Sequence, residues 1–103
     1  MSEERKIDFK DLHWQSHSPG ARFKAYQQAG KQVRLIEFGK DFIEFNWCVK
    51  GHIGLVVEGE IEIDFNGEVV KYHAGNGLFI PPGNPHKLKA RTETATLFLV
   101  EEV

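Results

Sequence analysis

The stretch Glu60-Ile61-Glu62-Ile63-Asp64-Phe65 alternates polar and apolar side chains at every step. A period of two suits an extended chain with one buried face and no helix. Asn66-Gly67 follows directly, and then a second apolar run, Val69-Val70-Lys71-Tyr72. Asn-Gly between two such runs predicts a tight hairpin, because a type I′ turn needs positive φ at both central residues. Upstream, residues 22–26 and 33–38 flank Ala29-Gly30-Lys31, a second predicted hairpin. Residues 53–57 and 96–100 are short, rich in β-branched or aromatic types and apolar on both faces, which predicts central strands. No stretch keeps a helical period for three turns with caps at both ends, and residues 14–20 read as irregular. Gly30, Gly39, Gly51, Gly59, Gly67, Gly75 and Gly83 punctuate the chain at strand-like intervals. The expectation is an all-β sandwich or barrel.

A chain of 103 residues has room for one domain. That domain is expected to span residues 1–103, with residues 1–6 peripheral or disordered. Its apolar runs fall far short of the roughly 20 residues that a membrane helix needs. The opening Met1-Ser2-Glu3-Glu4-Arg5-Lys6 is polar, so no signal peptide is expected. The 13 basic and 15 acidic residues are interspersed and leave a net charge of −2, against the basic stripe that a nucleic-acid partner demands. Cys48 is the single cysteine, which excludes an internal disulfide. The expected setting is cytoplasmic, with neither nucleic acid nor membrane as partner.

Three residues hold most of the chemistry. Cys48 and His52 lie four apart, and His86 follows the stiff turn Pro81-Pro82-Gly83-Asn84-Pro85. Thiolate and imidazole are metal ligands, and a rigid turn beside a ligand lowers the entropy lost on binding. The same residues also suit a bland reading, with Cys48 a small buried hydrophobe and the histidines hydrogen-bond donors. His13 and His17 read as loop residues, His73 as surface, and Glu60, Glu62 and Asp64 as a solvated face. Phe23, Tyr26, Phe38, Phe45, Phe79 and Phe98 are expected in the core or the pocket wall. Trp47 has the opposite strand parity from Asn46 and Cys48 and should face away from the cavity.

Residues 46–60 and 75–86 resemble the paired motifs of the cupin superfamily, small jelly-roll β-barrels. Gly75, Pro81, Gly83 and His86 fill every fixed position of the second motif, G-x5-P-x-G-x2-H, although Ala90 stands where an asparagine often follows. The first motif is met in part. Anchored on Gly59, its glutamate position falls on His52 and its histidine positions on Asn46 and Cys48, while its leading glycine would fall at Lys40. The resemblance implies that Asn46, Cys48, His52 and His86 meet inside a barrel. Cys48, His52 and His86 would there hold a divalent metal, zinc or iron being favoured, although the 2-His-1-carboxylate set of many iron oxygenases is missing. Asn46 and Phe79 would contact the ligand, and His52 and His86 would be catalytic. The implied function is a metal-dependent enzyme, an isomerase, lyase or dioxygenase, acting on a sugar, hydroxy acid or small aromatic. The alternatives are a metal-free binding or sensor module and, third, a thiol role for Cys48. A homodimer is implied as well.

Overall fold

The computed structural model describes residues 5–103. The described residues form nine strands: β1 (Gln15–Ser18), β2 (Ala21–Gln28), β3 (Lys31–Gly39), β4 (His52–Glu58), β5 (Glu60–Asp64), β6 (Val69–His73), β7 (Gly77–Ile80), β8 (Lys87–Ala90) and β9 (Thr94–Glu102). Both predicted hairpins are present. Ala29 and Gly30 take φ of 54° and 78° between β2 and β3, and Asn66 and Gly67 take 64° and 123° between β5 and β6. Of the first six residues, Arg5 and Lys6 are exposed, and the expectation for residues 1–4 lies outside the described residues.

Six strands pair in the order β1-β2-β3-β9-β4-β7, and a smaller sheet runs β6-β5-β8. The strands predicted to be central are central: β9 pairs with β3 along its whole length and with β4 on its other side, both antiparallel. One face of the large sheet carries Ile36, Phe38, Val56, Leu78, Ile80, Ala95, Leu97 and Leu99, all buried. Against them pack Ile61 and Ile63, the apolar phase of the alternating β5 sequence, which are almost wholly buried. A jelly-roll of two facing antiparallel sheets results, with the core between them.

Residues 42–48 extend the small sheet irregularly. Ile43 bridges Lys89 and Cys48 bridges His86, so five steps along one strand oppose three along the other. The two surplus residues form a bulge, and this decides which side chains face inward. On the β8 side the Phe42 carbonyl accepts from Ala90 N–H and Glu44 N–H donates to Leu88 O, and Cys48 rejoins the pairing with two bonds to His86.

Several expectations are corrected. Residues 14–20 are not wholly irregular, because Gln15–Ser18 pairs with β2 around a turn in which Gly20 takes φ 81° and the Ser16 hydroxyl donates to Ala21 O. Phe45, 86% exposed, is in neither the core nor a cavity wall, whereas Phe79, 73% exposed, is outside the core but lines a cleft. Phe45 sits in the bulge, and Phe79 alternates with the inward-facing Leu78 and Ile80 of β7. On the outer face of the large sheet a single 3-10 turn, Phe9–Asp11, is held by Lys24 Nζ on Phe9 O and by an edge contact of Phe9 with Phe98. No helix among the described residues is long and apolar enough to cross a membrane.

Gly54 lets β4 and β9 approach closely. A Cβ there would lie 2.1 Å from Phe98 O and 2.7 Å from Leu99 Cδ2. Gly54→Ala is therefore expected to destabilise the fold by about 1–3 kcal/mol, the range for overpacking, read as a lower denaturant midpoint at an unchanged slope.

Candidate metal centre

Three strand ends and one turn build the site. His52 opens β4 on the inner face of the large sheet, opposite Ile80 in the β7 register. Cys48 and His86 face it from the irregular end of the small sheet. The donor atoms of Cys48, His52 and His86 all lie within 4.8 Å of one another, and Cys48 Sγ is 3.7 Å from His52 Nε2. The two imidazoles meet edge to face with centroids 5.3 Å apart, and the Phe65 ring lies behind His86. His86 is buried, while Cys48 and His52 are half-buried.

His86 is held in a defined state. Its Nδ1 lies 2.8 Å from the carbonyl oxygen of Asn84, within the stiff Pro82-Gly83-Asn84-Pro85 turn. A carbonyl can only accept, so Nδ1 carries a proton, and in the neutral ring Nε2 is then the lone-pair nitrogen.

Behind His52 stands a polar network that motif reasoning missed. His52 Nδ1 lies 2.9 Å from Glu101 Oε2, poorly aligned for a linear hydrogen bond and with no better partner in its buried position. Arg34 grips Glu101 with both arms, Nε to Oε1 at 2.7 Å and Nη2 to Oε2 at 2.6 Å, and Gln32 Nε2 donates to Oε1 at 3.0 Å. Burial alone would raise the Glu101 pKa. The contacts with His52, Arg34 and Gln32, together with the Arg34 charge, reverse that and lower it to about 2. A strand-phase signal for this pair existed. Glu101 continues the inward phase Ala95, Leu97, Leu99, and Arg34 shares the phase of Ile36 and Phe38 on the neighbouring strand.

Cys48, His52 and His86 line a cavity of about 320 Å³ together with Glu44, Lys50, Phe23 and Arg34. It adjoins a wider cleft of about 1030 Å³, which shares Lys50, His52 and Arg34. The structure thus brings together three of the four motif residues. Asn46 is exposed and lines neither space, because it sits on the bulge, while Glu44, unnoticed in the sequence, faces the cavity and accepts Leu88 N–H. Phe79 lines the outer cleft and not the cavity of the three donors. Trp47 is 43% exposed, faces away as expected, and lies under Lys87 Nζ.

The donor set fits a metal ion. Tetrahedral zinc with bonds of about 2.0–2.3 Å spaces its donors about 3.3–3.8 Å apart, so the Cys48–His52 separation already suits it. Thiolate sulfur and imidazole nitrogen are both donors that zinc takes.

The Glu101 cluster also predicts an acid response of the metal-free protein. A carboxylate that titrates at 4.5 when unfolded and at about 2 when folded stabilises fully above 4.5 and loses that contribution as pH falls toward about 2. The stabilisation is at most about 3 kcal/mol. Guanidine midpoints measured across this window should fall more steeply for the wild type than for Glu101→Gln.

A family model described as a cupin domain matches residues 49–101, a span that holds His52, His86 and Glu101 and begins one residue after Cys48. No curated protein matches the sequence. Among solved structures, KdgF from Halomonas sp. superposes with a TM-score of 0.80 at 18% identity, covering 98% of this chain and 96% of its own. The polyketide cyclase RemF from Streptomyces resistomycificus gives 0.81 at 17%, covering 97% and 80%. A cupin-superfamily sugar phosphate isomerase from Silicibacter pomeroyi gives 0.79 at 17%, covering 95% and 75%. At such identities the likeness carries the fold alone. With the family match spanning half of the chain and the jelly-roll agreeing with it, the protein belongs to the cupin family.

Proposed function

We propose that the protein is a metal-dependent enzyme acting on a small molecule, with Cys48, His52 and His86 as the protein ligands of a divalent ion. The observation that carries this reading is the convergence of one sulfur and two imidazole nitrogens, within 4.8 Å of one another, in a cavity open to a larger cleft. Zinc is the ion this set suits best. Iron suits it less, because the nearby carboxylate, Glu101, is already taken up by Arg34, Gln32 and His52.

When bound, such an ion polarises a carbonyl or hydroxyl group or activates water. The histidines would then serve by holding it, with their Nε2 lone pairs committed. Glu44 and Lys50 are the further ionisable side chains of the cavity and the groups placed to hold or move a proton. The cavity and cleft suit a substrate of sugar or hydroxy-acid size, and isomerase or lyase chemistry needs no more than these parts. Structural similarity to a sugar phosphate isomerase and a polyketide cyclase is in keeping with that class.

Elemental analysis by mass spectrometry, on protein purified without a histidine tag or chelator, tests the reading. The expected result is stoichiometric zinc in the wild type and its loss in the Cys48→Ala/His52→Ala double variant. Absence of metal even after reconstitution would replace the enzyme with a metal-free binding module.

We also propose that the protein acts as a homodimer. Ile53, Leu55 and Phe79 stand exposed on the outer face of β4 and β7, with Ile53 directly opposite Phe79. In addition β7, an edge strand, leaves one side unpaired. Light scattering at micromolar concentration should give the mass of two chains, and Phe79→Glu should shift it toward one.

A further inference from the structure

We infer that Glu101, braced by Arg34, is a positioning residue that fixes His52 with its proton on Nδ1 and so presents a bare Nε2 toward Cys48. Relevance to an ion rests on the metal reading above, whereas the protonation state does not.

The argument starts from the carboxylate. A carboxylate gripped bidentately by a guanidinium is ionised and can only accept. It has about four lone-pair sites: three take hydrogen bonds from Gln32, Arg34 Nε and Arg34 Nη2, and the fourth faces His52 Nδ1, which lies 2.9 Å from Oε2 but is poorly aligned. No site is left over for an ion, so Glu101 acts through His52. His52 Nδ1 is shut off from solvent, with Oε2 at 2.9 Å. Were Nδ1 unprotonated, two sets of lone pairs would face each other there without water between them, which is costly for buried polar atoms. In the neutral ring the one proton therefore belongs on Nδ1, which leaves Nε2 bare.

His86 reaches the same state by another route, through the carbonyl of Asn84. Two independent acceptors, one a side chain from β9 and one a backbone carbonyl from the proline-rich turn, set both rings alike. With Nδ1 taken up in both rings, Nε2 is the nitrogen each has left for the space shared with Cys48, and His52 Nε2 lies 3.7 Å from its sulfur. A carboxylate behind a ligating histidine fixes its tautomer and orientation and raises its basicity. Arg34 in turn fixes the carboxylate, and Gln32 completes the bracing from the same strand, β3.

The test uses the full chain, metal-free, with ¹⁵N-labelled histidine, and reads the ring nitrogens of His52 by long-range ¹H–¹⁵N correlation at pH 8. Wild type is expected to show Nδ1 protonated and Nε2 not, and Glu101→Leu to show a mixture or the opposite tautomer. Glu101→Gln, whose amide oxygen can still accept from Nδ1, should keep the wild-type pattern in part. Zinc titration of the same proteins, with a competing chelator, should weaken about 10–100-fold in Glu101→Leu and less in Glu101→Gln. Arg34→Met, which leaves Glu101 in place but unbraced, provides a second variant should Glu101→Leu not fold, and should weaken zinc in the same direction. A wild-type ring with Nε2 protonated, alone or together with Nδ1, would overturn the inference. So would unchanged zinc affinity in the variants. Wild type that holds the Nδ1–H tautomer but takes up no zinc would sink the metal reading and support the positioning one.

Discussion

Everything in this fold hangs on the double pairing of β9. Its nine residues pair with β3 along their whole length, and residues 96–100 pair with β4 on the other side; β3 carries Gln32 and Arg34, and β4 carries His52. Because side chains alternate along a strand, the register fixes what meets inside. Leu97 and Leu99 fall against the apolar core, and two residues further along the same phase brings Glu101 to the open end, level with Gln32 on β3 and, one register step beyond Ile53–Val100, with His52 on β4, and diagonal to Arg34. A slip of one residue would turn Glu101 outward and bring Phe98 and Val100 in. The close approach permitted by Gly54 holds β4 near enough for His52 to reach the carboxylate.

The second half of the site comes from irregularity. Regular pairing of residues 42–48 with β8 would have put Asn46 in phase with Cys48, as strict alternation from the motif implies. Two surplus residues let the chain bow outward between Ile43 and Cys48, so that Asn46, Phe45 and Trp47 are carried to the surface. Glu44 remains beside the cavity before the bulge and Cys48 re-enters after it. The sulfur is then delivered by backbone bonds in both directions to His86, the very residue whose imidazole it faces. One short segment thus positions two of the three donors relative to each other.

Legibility in the sequence followed the regularity of the backbone. The alternation of β5 and the Asn66-Gly67 and Ala29-Gly30 turns depend on local chemistry, and each was readable where it stood. Cys48, His52 and His86 were readable because the cupin motifs place them in relation to Gly59 and Gly83. The inward place of Asn46 follows only from counting residues along the motif, and counting cannot see a bulge. The aromatic type of Phe79 points to core or pocket wall alike, and the inward phase of its neighbours Leu78 and Ile80 leaves it the wall of the outer cleft. Glu101 escaped notice for a different reason. A charged residue near a strand end looks like a solvated terminus until the pairing with β3 shows that Arg34 and Glu101 break the inward apolar phase at adjacent places. Two opposite charges that interrupt the buried phases of neighbouring strands form a pair signal that neither strand shows alone.

That pair also needs an energetic reason. Glu101 is 9% exposed and Arg34 23%, and taking such charges out of water costs several kcal/mol per ion unless their hydrogen bonds are fully met. Apolar residues at both positions would extend the core of Leu97, Leu99 and Ile36, and for stability alone they would serve as well or better. They would also leave His52 Nδ1 buried beside hydrocarbon, where its proton has no acceptor and the ring has no reason to prefer one tautomer. The ion pair is thus poorly explained by folding and well explained by what it does to His52. Its geometry agrees: Arg34 and Gln32 saturate the carboxylate from β3 and leave one acceptor position, the one that faces the imidazole. Stability that the chain could have drawn from a longer apolar core has gone instead into the orientation of a single ring.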